Sequence, residues 1–231
     1  MVAKPLAGVL RPTIAISIPT VKGSKVTILD IGINVDCRPE VLEQYAVIGS
    51  VYASDVLGLE NPRVALLNIG QEGSKGNAQA KVAYSLMAEA AAQGRYNFVG
   101  NVEARSVPLG EVDVVVCDGF SGNVLLKSIE GTAMFMGSMM KKMFKKNVLS
   151  KIGYLLCSSS VKDMMKLMDY REIGGTQFLG IKKPVIKAHG SSDALAFRNA
   201  VRQAMDTAKN DISAELEEGL KQLSDKENSD D

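Results

Sequence analysis

Histidine is the scarcest of the common catalytic residues in this chain, and its scarcity limits the chemistry available to the protein. One histidine, His189, occurs among 231 residues. Metal sites built from several histidines, and most catalytic triads that use histidine as a base, are therefore poorly supported.

Cysteine is also scarce, and the cysteines that do occur lie far apart in the sequence. Cys37, Cys117 and Cys157 are odd in number and form no closely spaced pair. This pattern fits neither a disulfide framework nor a zinc site. We therefore expect a protein of the reducing cytoplasm, with no metal.

The chain lacks a charge excess and long hydrophobic runs. Its 27 basic residues nearly balance 26 acidic ones, whereas a dedicated nucleic-acid-binding protein usually carries a strong basic excess. No apolar run approaches the roughly 18–20 residues that span a bilayer. The first residues are apolar but interrupted by proline, so we predict no signal peptide.

Apolar residues make up 46% of the chain, enough for a folded core. Short apolar runs predict buried parallel strands, and helical patterns separate them, from Pro39 to near Gly58 and from about Asn77 to Gln93. This alternation predicts an α/β sheet with helices packed on it. The predicted strands are residues 26–29, 64–67, 98–99, 112–117 and, near the C-terminus, 184–187.

Five predicted strands are each followed by a polar turn that contains glycine or asparagine. We expect these turns to gather at one end of a parallel sheet, where glycine allows close approach of a ligand and helix N-termini attract anions. The alternative is that glycine, asparagine and aspartate serve only as turn residues. The five turns are residues 30–36, 68–77, 100–103, 118–123 and 188–193.

The segment 131–168 has a different pattern, rich in methionine. Met136, Met139, Met140 and Met143 share one helical stripe, and a second stripe follows from Val161 to Met168. The simpler interpretation is helix packing or a dimer interface, and the sharper one is a two-helix projection whose apolar tip contacts a membrane. The apolar tip includes Leu155 and Leu156, and the nearby lysines are Lys141, Lys142, Lys145 and Lys146.

From Asp193 to about Leu220 the spacing predicts one long helix, with Asp193 as its N-cap. The final residues are polar and rich in acidic side chains. We predict one α/β domain over residues 1–220, with the helical projection 131–168 inside it and a disordered tail over residues 221–231.

Several turns in this order resemble the phosphate acyltransferase family of bacterial phospholipid synthesis (PlsX). The motifs NIGQEGSKGN at 68–77, DGFSGN at 118–123 and AHGSSD at 188–193 carry the resemblance. It covers nearly all of the chain except the acidic tail. The matching segments are residues 11–12, 29–53, 61–77, 97–105, 113–131 and 185–194.

The resemblance implies a three-layer α/β/α sandwich like those of isocitrate dehydrogenases and phosphotransacetylases. It implies transfer of a fatty acyl chain from acyl carrier protein to inorganic phosphate, which gives an acyl phosphate for phospholipid synthesis. Members of this family are typically homodimers that associate peripherally with the membrane, and no cofactor is implied. The lysines of the projection are then expected to contact either anionic lipid or the acidic carrier protein.

Within that chemistry, phosphate itself can attack the thioester, so the enzyme needs donors rather than a nucleophile. The resemblance favours Lys75 and Asn123 as catalytic donors, while the role of His189 stays open between a base and a phosphate ligand. The other expected phosphate-binding residues are Gly70, Gly76, Asn101, Gly119, Gly122, Gly190, Ser191 and Ser192. The residues expected to shape the site without touching substrate are Asp30, Asn34, Asp36, Glu72, Glu103 and Asp118.

The family pattern also includes a DAMGGD-like turn and a SAGNTGAL-like turn, and neither is present in this sequence. The second motif normally precedes the segment that matches residues 1–3, so about a third of the usual enzyme is expected to be missing. Two other functions are considered: a phosphotransacetylase-like enzyme that uses acyl-CoA, and a non-catalytic fragment that keeps the dimer and membrane-binding helices.

Overall fold

The short apolar runs form a seven-stranded sheet in the computed structural model, which describes residues 3–167, 169–190, 192–210 and 212–227. The predicted strands at 26–29, 64–67, 98–99 and 112–117 are confirmed as β2, β3, β4 and β5. The strands are β1 Thr13–Pro19, β2 Lys25–Leu29, β3 Arg63–Asn68, β4 Asn97–Glu103, β5 Val114–Val116, β6 Gly175–Leu179 and β7 Val185–Ala188.

Seven α-helices accompany the sheet in the described part of the chain. A π-helical turn, Tyr52–Val56, continues α1, and a 3-10 helix, Ala104–Leu109, follows β4. The helices are α1 Pro39–Val51, α2 Ala78–Ala92, α3 Gly119–Lys145, α4 Val148–Leu167, α5 Tyr170–Ile173, α6 Ala194–Lys209 and α7 Ser213–Glu227.

The sheet is mixed, whereas the sequence predicted a parallel one. Its strand order is β4-β3-β5-β2-β1-β6-β7, and only the first four strands in that order run parallel to their neighbours. β1 is antiparallel to both β2 and β6, and β7 is antiparallel to β6. β1 and β6 were missed at the sequence level.

Helices cover both faces of the sheet, which confirms the predicted α/β/α layers. One face buries Tyr45 and Ile48 of α1 together with residues of α2 and α7. The other buries Ile28 and Val115 beneath Leu125 and Leu126 at the start of α3. Each fully buried side chain of this size contributes about 1.5–3 kcal/mol to folding.

The C-terminal region differs from its prediction in two ways. The single helix expected over 193–220 is two helices, because Asn210 leaves helical geometry at φ −99° and ψ 80°. This break turns α7 so that Ile212, Leu216, Leu220 and Leu223 join the core against α1. Because that packing reaches Leu223, α7 continues to Glu227, into the segment predicted to be disordered.

The helices α3 and α4 form a hairpin over most of the segment predicted to project. None of the described residues from 131 to 166 is buried, although α3 buries residues in its first turns. Phe144 packs against Tyr154 with ring centroids 5.2 Å apart. Met168, in the second methionine stripe, lies outside the described residues. No helix within the described ranges is both long and apolar enough to cross a bilayer.

Candidate functional site

Three of the predicted polar segments follow the carboxyl ends of the parallel strands β2, β3 and β5, although residues 119–123 of the third already form the start of α3. Residues 100–103, predicted as a further turn, instead belong to β4. The turn after β2 begins at Asp30, that after β3 runs to Asn77, and β5 leads into α3 through Asp118. β4 ends in the same direction beside β3. Ligands of open α/β sheets bind at this end, so the gathering of these strand ends and of the polar segments after β2, β3 and β5 marks the candidate site.

The turn after β2 is organised by a buried carboxylate, that of Asp30. Its Oδ1 accepts hydrogen bonds from the backbone N–H groups of Gly32 and Ile33, at 2.9 and 3.1 Å. Its Oδ2 accepts from the backbone and side-chain nitrogens of Asn34, at 2.8 and 2.9 Å. These four bonds satisfy a charge that would otherwise be costly to bury.

Asn34 extends this network into the protein core. Its side-chain amide also lies 2.8 Å from the carbonyl oxygen of Pro12 and 2.7 Å from the hydroxyl of Tyr45. Burial raises the pKa of the Tyr45 phenol above its ordinary value, so the phenol stays neutral. Asp36, which follows in the same turn, is exposed.

Two glycines allow α3 to start directly against this turn. A Cβ at Gly122 would lie 1.9 Å from the carbonyl oxygen of Asp30, and one at Gly119 would lie 2.8 Å from that of Asn34. Asp118 caps the helix by accepting a hydrogen bond from the backbone N–H of Ser121 at 2.7 Å. Close backbone packing therefore explains both glycines, which were predicted from the sequence as phosphate ligands.

The turn after β3 is braced by two asparagines at the ends of adjacent strands. The Asn68 side-chain nitrogen donates to the Asn101 side-chain oxygen at 3.1 Å, and the Asn101 nitrogen donates to the carbonyl oxygen of Glu72 at 2.8 Å. Asn68 also donates to the carbonyl oxygen of Lys75 at 3.2 Å. Asn101, predicted to bind phosphate, therefore uses its amide to hold the turn.

Lys75 lies on the exposed surface of this braced turn. Gly70, which precedes it in the turn, is buried. A Cβ added at Gly70 would lie 3.0 Å from the Lys75 Cγ and 3.0 Å from a carboxylate oxygen of Glu72. Gly76 follows at φ +91°, a conformation that glycine adopts without strain, and a Cβ there would clash with Asn68 at 2.7 Å. Asn77 then caps α2 by accepting from the backbone N–H of Ala80 at 2.8 Å.

A cavity of about 560 Å³, here called the edge cavity, opens between this turn and α3. Gly76 and Asn77 line one side of it, and Phe120 and Val124 of α3 line another. Among the described residues that line it, none is a lysine or an arginine, and Asp118 is the ionisable carboxylate. Lys75 lies next to the cavity in sequence but does not line it.

Asn123 points to the other side of α3. Its side chain lies against Gly32, where a Cβ would come within 3.7 Å of it, and it lines a separate cavity of about 150 Å³ with His189. The two residues predicted as catalytic, Lys75 and Asn123, are both exposed but do not line a common cavity. Asn123 and Val124 are consecutive residues, so their side chains leave the helix about 100° apart.

The predicted turn at 188–193 does not leave the sheet at this end, so the prediction that all five turns gather at one edge is wrong, although His189 shares the smaller cavity with Asn123. Register places Ala188 of β7 beside Gly175 of β6, and β7 runs antiparallel to β6. The chain after β7 therefore continues toward the amino-terminal ends of the parallel strands, taking His189, Gly190 and Ser192 with it. Ser191 lies outside the described residues.

Asn68, Glu103 and two cysteines complete the description of the site. Asn68 was not singled out, although its place at the end of a strand beside NIGQEGSKGN is a readable signal. Glu103, expected to shape the site, forms an ion pair with exposed Arg105 at 2.6 Å. Cys37 and Cys117 line the edge cavity, and burial raises the pKa of Cys37 to about 11 and that of Cys117 well above its ordinary value.

A family model described as "Fatty acid synthesis protein" matches residues 1–215 of the chain. The chain belongs to this family. A phosphate acyltransferase from Geobacillus sp. (strain WCH70) is 48% identical over 217 residues, which are 94% of this chain and 65% of that protein. A phosphate acyltransferase from Geobacillus thermodenitrificans (strain NG80-2) is 49% identical over 216 residues, 92% of this chain and 65% of the relative. The chain thus spans about 65% of the length of these family members.

Solved structures confirm the fold class of the family member described here. A branched-chain phosphotransacylase from Enterococcus faecalis V583 matches 86% of the chain with a TM-score of 0.54 at 16% identity, over 66% of that structure. A phosphotransacetylase from Streptococcus pyogenes matches 89% with a TM-score of 0.52 at 18% identity, over 57% of its own length. At these identities the likeness concerns the fold alone.

Proposed function

We propose that the protein transfers a fatty acyl chain from a thioester, carried by acyl carrier protein, to inorganic phosphate. The observation that carries this proposal is the braced turn after β3, which presents Lys75 beside the N-terminus of α2 at the carboxyl end of the sheet. The similarity to phosphate acyltransferases over more than nine-tenths of the chain supports the same reaction.

In the proposed reaction a phosphate oxygen attacks the thioester carbonyl carbon. The new C–O bond forms as the C–S bond breaks. The sulfur takes up the proton that the phosphate gives up and leaves as the thiol of the carrier. Phosphate must be held as an anion, and the oxyanion that develops on the carbonyl oxygen needs positive donors. Lys75 supplies a cation, and the first amides of α2 supply a positive helix end nearby.

The rigidity of the turn supports this assignment for Lys75. The lysine backbone is fixed by the hydrogen bond from Asn68 and by its own N–H, which donates to the carbonyl oxygen of Glu72 at 3.0 Å. A donor held in place before the reaction stabilises a transition state more effectively than one that must be reorganised. The side chain stays exposed, so it remains accessible to an incoming anion.

The test compares two lysines near the start of α2. We expect Lys75→Ala to lower kcat/KM for acyl phosphate formation at least about 100-fold, as loss of an oxyanion donor does. Lys81→Ala removes an exposed lysine from α2 and is expected to change it less than about twofold. Equal effects of the two substitutions would remove Lys75 from the mechanism, and no product from any thioester would defeat the proposed function.

Asn123 is proposed as a second donor, toward phosphate or the oxyanion. Because it lines a cavity with His189 rather than the edge cavity, its contribution tests whether the active site extends across the first turns of α3. Asn123→Ala should reduce activity, whereas Thr132→Ala, at an exposed position of the same helix that lines neither cavity, should not. Acyl-CoA is offered as an alternative donor in the same assay to distinguish carrier-protein from coenzyme specificity.

We further propose that the α3/α4 hairpin mediates homodimer formation and peripheral contact with a membrane. Leu155 and Leu156 are 72% and 86% exposed, which is unusual for leucine and suits insertion into a lipid interface. Lys141, Lys142, Lys145 and Lys146 are exposed on the same hairpin, where they would face anionic headgroups. These features favour a cytoplasmic protein that reaches the membrane surface.

Vesicle sedimentation tests the membrane proposal. The double substitution Leu155→Glu and Leu156→Glu should abolish binding to vesicles that contain phosphatidylglycerol, whereas Phe197→Glu, which alters an exposed apolar residue on α6, should leave it intact. If the leucine variant still binds lipid, the hairpin tip is not the membrane contact. If the lysines affect carrier-protein affinity but not vesicle binding, they dock the carrier protein instead.

A further inference from the structure

We propose that the edge cavity binds the alkyl chain of the acyl substrate and that Val124 of α3 sets the preferred chain length. The inference rests on the proposed function and adds to it the location of the apolar part of the substrate. No residue of this cavity other than Gly76 and Asp118 was assigned a role from the sequence.

The lining of the edge cavity suits an uncharged chain. Its inner surface is formed by hydrocarbon from Leu42, Leu66 and Leu67, which belong to or border the two cores. Cys37 and Cys117 add thiols that remain protonated at neutral pH because burial raises their pKa values. Hydrocarbon and neutral thiols offer no favourable partner to an anion, so this inner surface suits an alkyl chain rather than phosphate. The polar lining residues are Asn68, Asn77, Gln79, Ser121 and Ser128, of which Asn77 and Gln79 belong to the start of α2.

The lining carboxylate is already engaged in the fold. Asp118 uses its Oδ1 to cap α3 through the backbone N–H of Ser121. Since no lysine or arginine is present among the described lining residues, a charged headgroup would find repulsion and no ion pair in this cavity. The volume of about 560 Å³ lies within the range of about 300–1,000 Å³ that is usual for small-molecule sites.

Large apolar side chains stand exposed at the rim of the cavity. Ile69 is 82% exposed, Phe120 64% and Val124 49%, and all three line the opening. Phe120 and Val124 are four residues apart, so they share one side of α3, and Ser128 continues the same stripe one turn later. An alkyl chain entering here would cover these surfaces and remove them from water.

The opposite rim connects the cavity to the proposed reacting centre. Gly76 and Asn77 line the cavity and directly follow Lys75 in the braced turn. A chain buried between α3 and this turn, with its carbonyl end toward Gly76 and Asn77, would bring that end to the start of α2, next to Lys75 in the sequence. This arrangement would place the chain and the phosphate on different surfaces, as their opposite polarity requires.

The first experiment measures chain binding without catalysis. cis-Parinaric acid, a fluorescent fatty acid of 18 carbons, is titrated into the 231-residue protein and into variants. Val124→Trp fills the cavity and should weaken binding at least tenfold, since each methylene kept out of an apolar site costs about fourfold in affinity. Val82→Trp places the same side chain at an exposed valine of α2 outside the cavity and should leave affinity unchanged. Ser128→Phe, which narrows the cavity from the next turn, repeats the test if Val124→Trp misfolds.

The second experiment measures chain-length preference during acyl phosphate formation. Palmitoyl and octanoyl thioesters of acyl carrier protein are compared, and Val124→Trp should lower the palmitoyl-to-octanoyl ratio of kcat/KM at least tenfold. A ratio unchanged by both Val124→Trp and Ser128→Phe in an active enzyme overturns the cavity assignment and leaves the proposed function intact. If the 231-residue protein forms no acyl phosphate, but Val124→Trp still weakens its binding of parinaric acid, the proposed function is defeated and the assignment of the cavity stands.

Discussion

The helix α3 joins two regions that differ sharply in how they are stabilised. Its first turns pack on the Asp30 turn, bury Leu125 and Leu126, and meet a network of internally satisfied polar groups. From residue 131 onward, none of the described residues of α3 or α4 up to 166 is buried. The first region completes its own contacts within the chain, whereas the second leaves an apolar surface that has to be covered by something else.

The difference shows what each region contributes. At the carboxyl end of the sheet, buried asparagines and aspartates fix the loops, so rigidity there serves positioning. In the hairpin, methionines and leucines stay exposed, so this surface is available for the association proposed above. Substitutions of similar chemistry should therefore have different consequences in the two regions.

The strongest contrast lies between two glycines of α3. Gly122→Ala would place a methyl group 1.9 Å from the carbonyl oxygen of Asp30, so the helix has to move away from the turn. We expect a loss of at least about 3 kcal/mol of unfolding free energy, measured by urea denaturation. Gly131→Ala, in the same helix with no neighbouring atom within 4 Å, should instead gain up to about 1 kcal/mol from helix propensity. Equal stability of the two variants would mean that α3 does not rest on the turn as described.

Gly122 shows which parts of this region could be predicted from the sequence. The motif DGFSGN indicated the passage from a strand into a helix, but the helix begins at Gly119, inside the predicted turn, and Asp118 proves to be its N-cap. The reason for Gly122 could not be read locally, since the atom it accommodates belongs to Asp30, which is far away in the sequence. Strands β2 to β5 were predictable because buried parallel strands are continuous apolar runs.

Other parts of the fold depended on pairing that the sequence does not encode locally. The direction of β7 follows from its antiparallel register with β6, and reversing it moved His189 away from the end of the sheet where Lys75 lies. The separation of Asn123 from Val124 was accessible in principle, because consecutive residues of a helix lie about 100° apart around its axis. Which side faces the cavity required the packed structure.

A second contrast concerns two ion pairs. Arg63 binds Asp113 through both oxygens at 2.9 Å and also donates its backbone N–H, whereas Lys127 and Glu130 pair on the more exposed surface of α3. Asp113→Asn should cost about 1.5–3 kcal/mol at pH 7, as for hydrogen bonds to charged groups, and Glu130→Gln less than about 1 kcal/mol.

The contribution of Asp113 to the free energy of unfolding depends on pH. Burial acts to raise the pKa of Asp113, but its hydrogen bonds to Arg63 outweigh burial and hold the pKa below its ordinary value. The folded state therefore prefers the ionised carboxylate, so the stabilisation is complete above the unfolded pKa and is lost as pH falls through the folded one. The stability difference between the wild type and Asp113→Asn should shrink on acidification, and a difference that grows would contradict this account.

Substitutions in the hairpin should change the free energy of unfolding little and the dimer dissociation constant strongly. Met139→Ser and Met143→Ser alter exposed side chains, so the unfolding free energy of the protomer should change by no more than about 0.5 kcal/mol. If these stripes pair between subunits, sedimentation velocity should show a dimer dissociation constant raised at least tenfold. Phe197→Ser on α6 is the control and should leave the dimer unchanged. A chain that is monomeric at every concentration would contradict the dimer proposal.

The smallest effect on stability, and the most direct comparison of the two regions, is the alkylation of cysteine. Cys37 and Cys117 are buried beside the edge cavity, whereas Cys157 lies half-buried in the hairpin. With a pKa of about 11, Cys37 is ionised to about one part in a thousand at pH 8, and its burial also blocks the reagent. Iodoacetamide should therefore label Cys157 first, as followed by peptide mass spectrometry, and label the other two only through opening of the fold.

Urea below the unfolding transition should accelerate the labelling of Cys37 and Cys117 more than that of Cys157, because local opening limits only the buried thiols. Equal rates at all three cysteines in native buffer would mean that the carboxyl end of the sheet is as open as the hairpin.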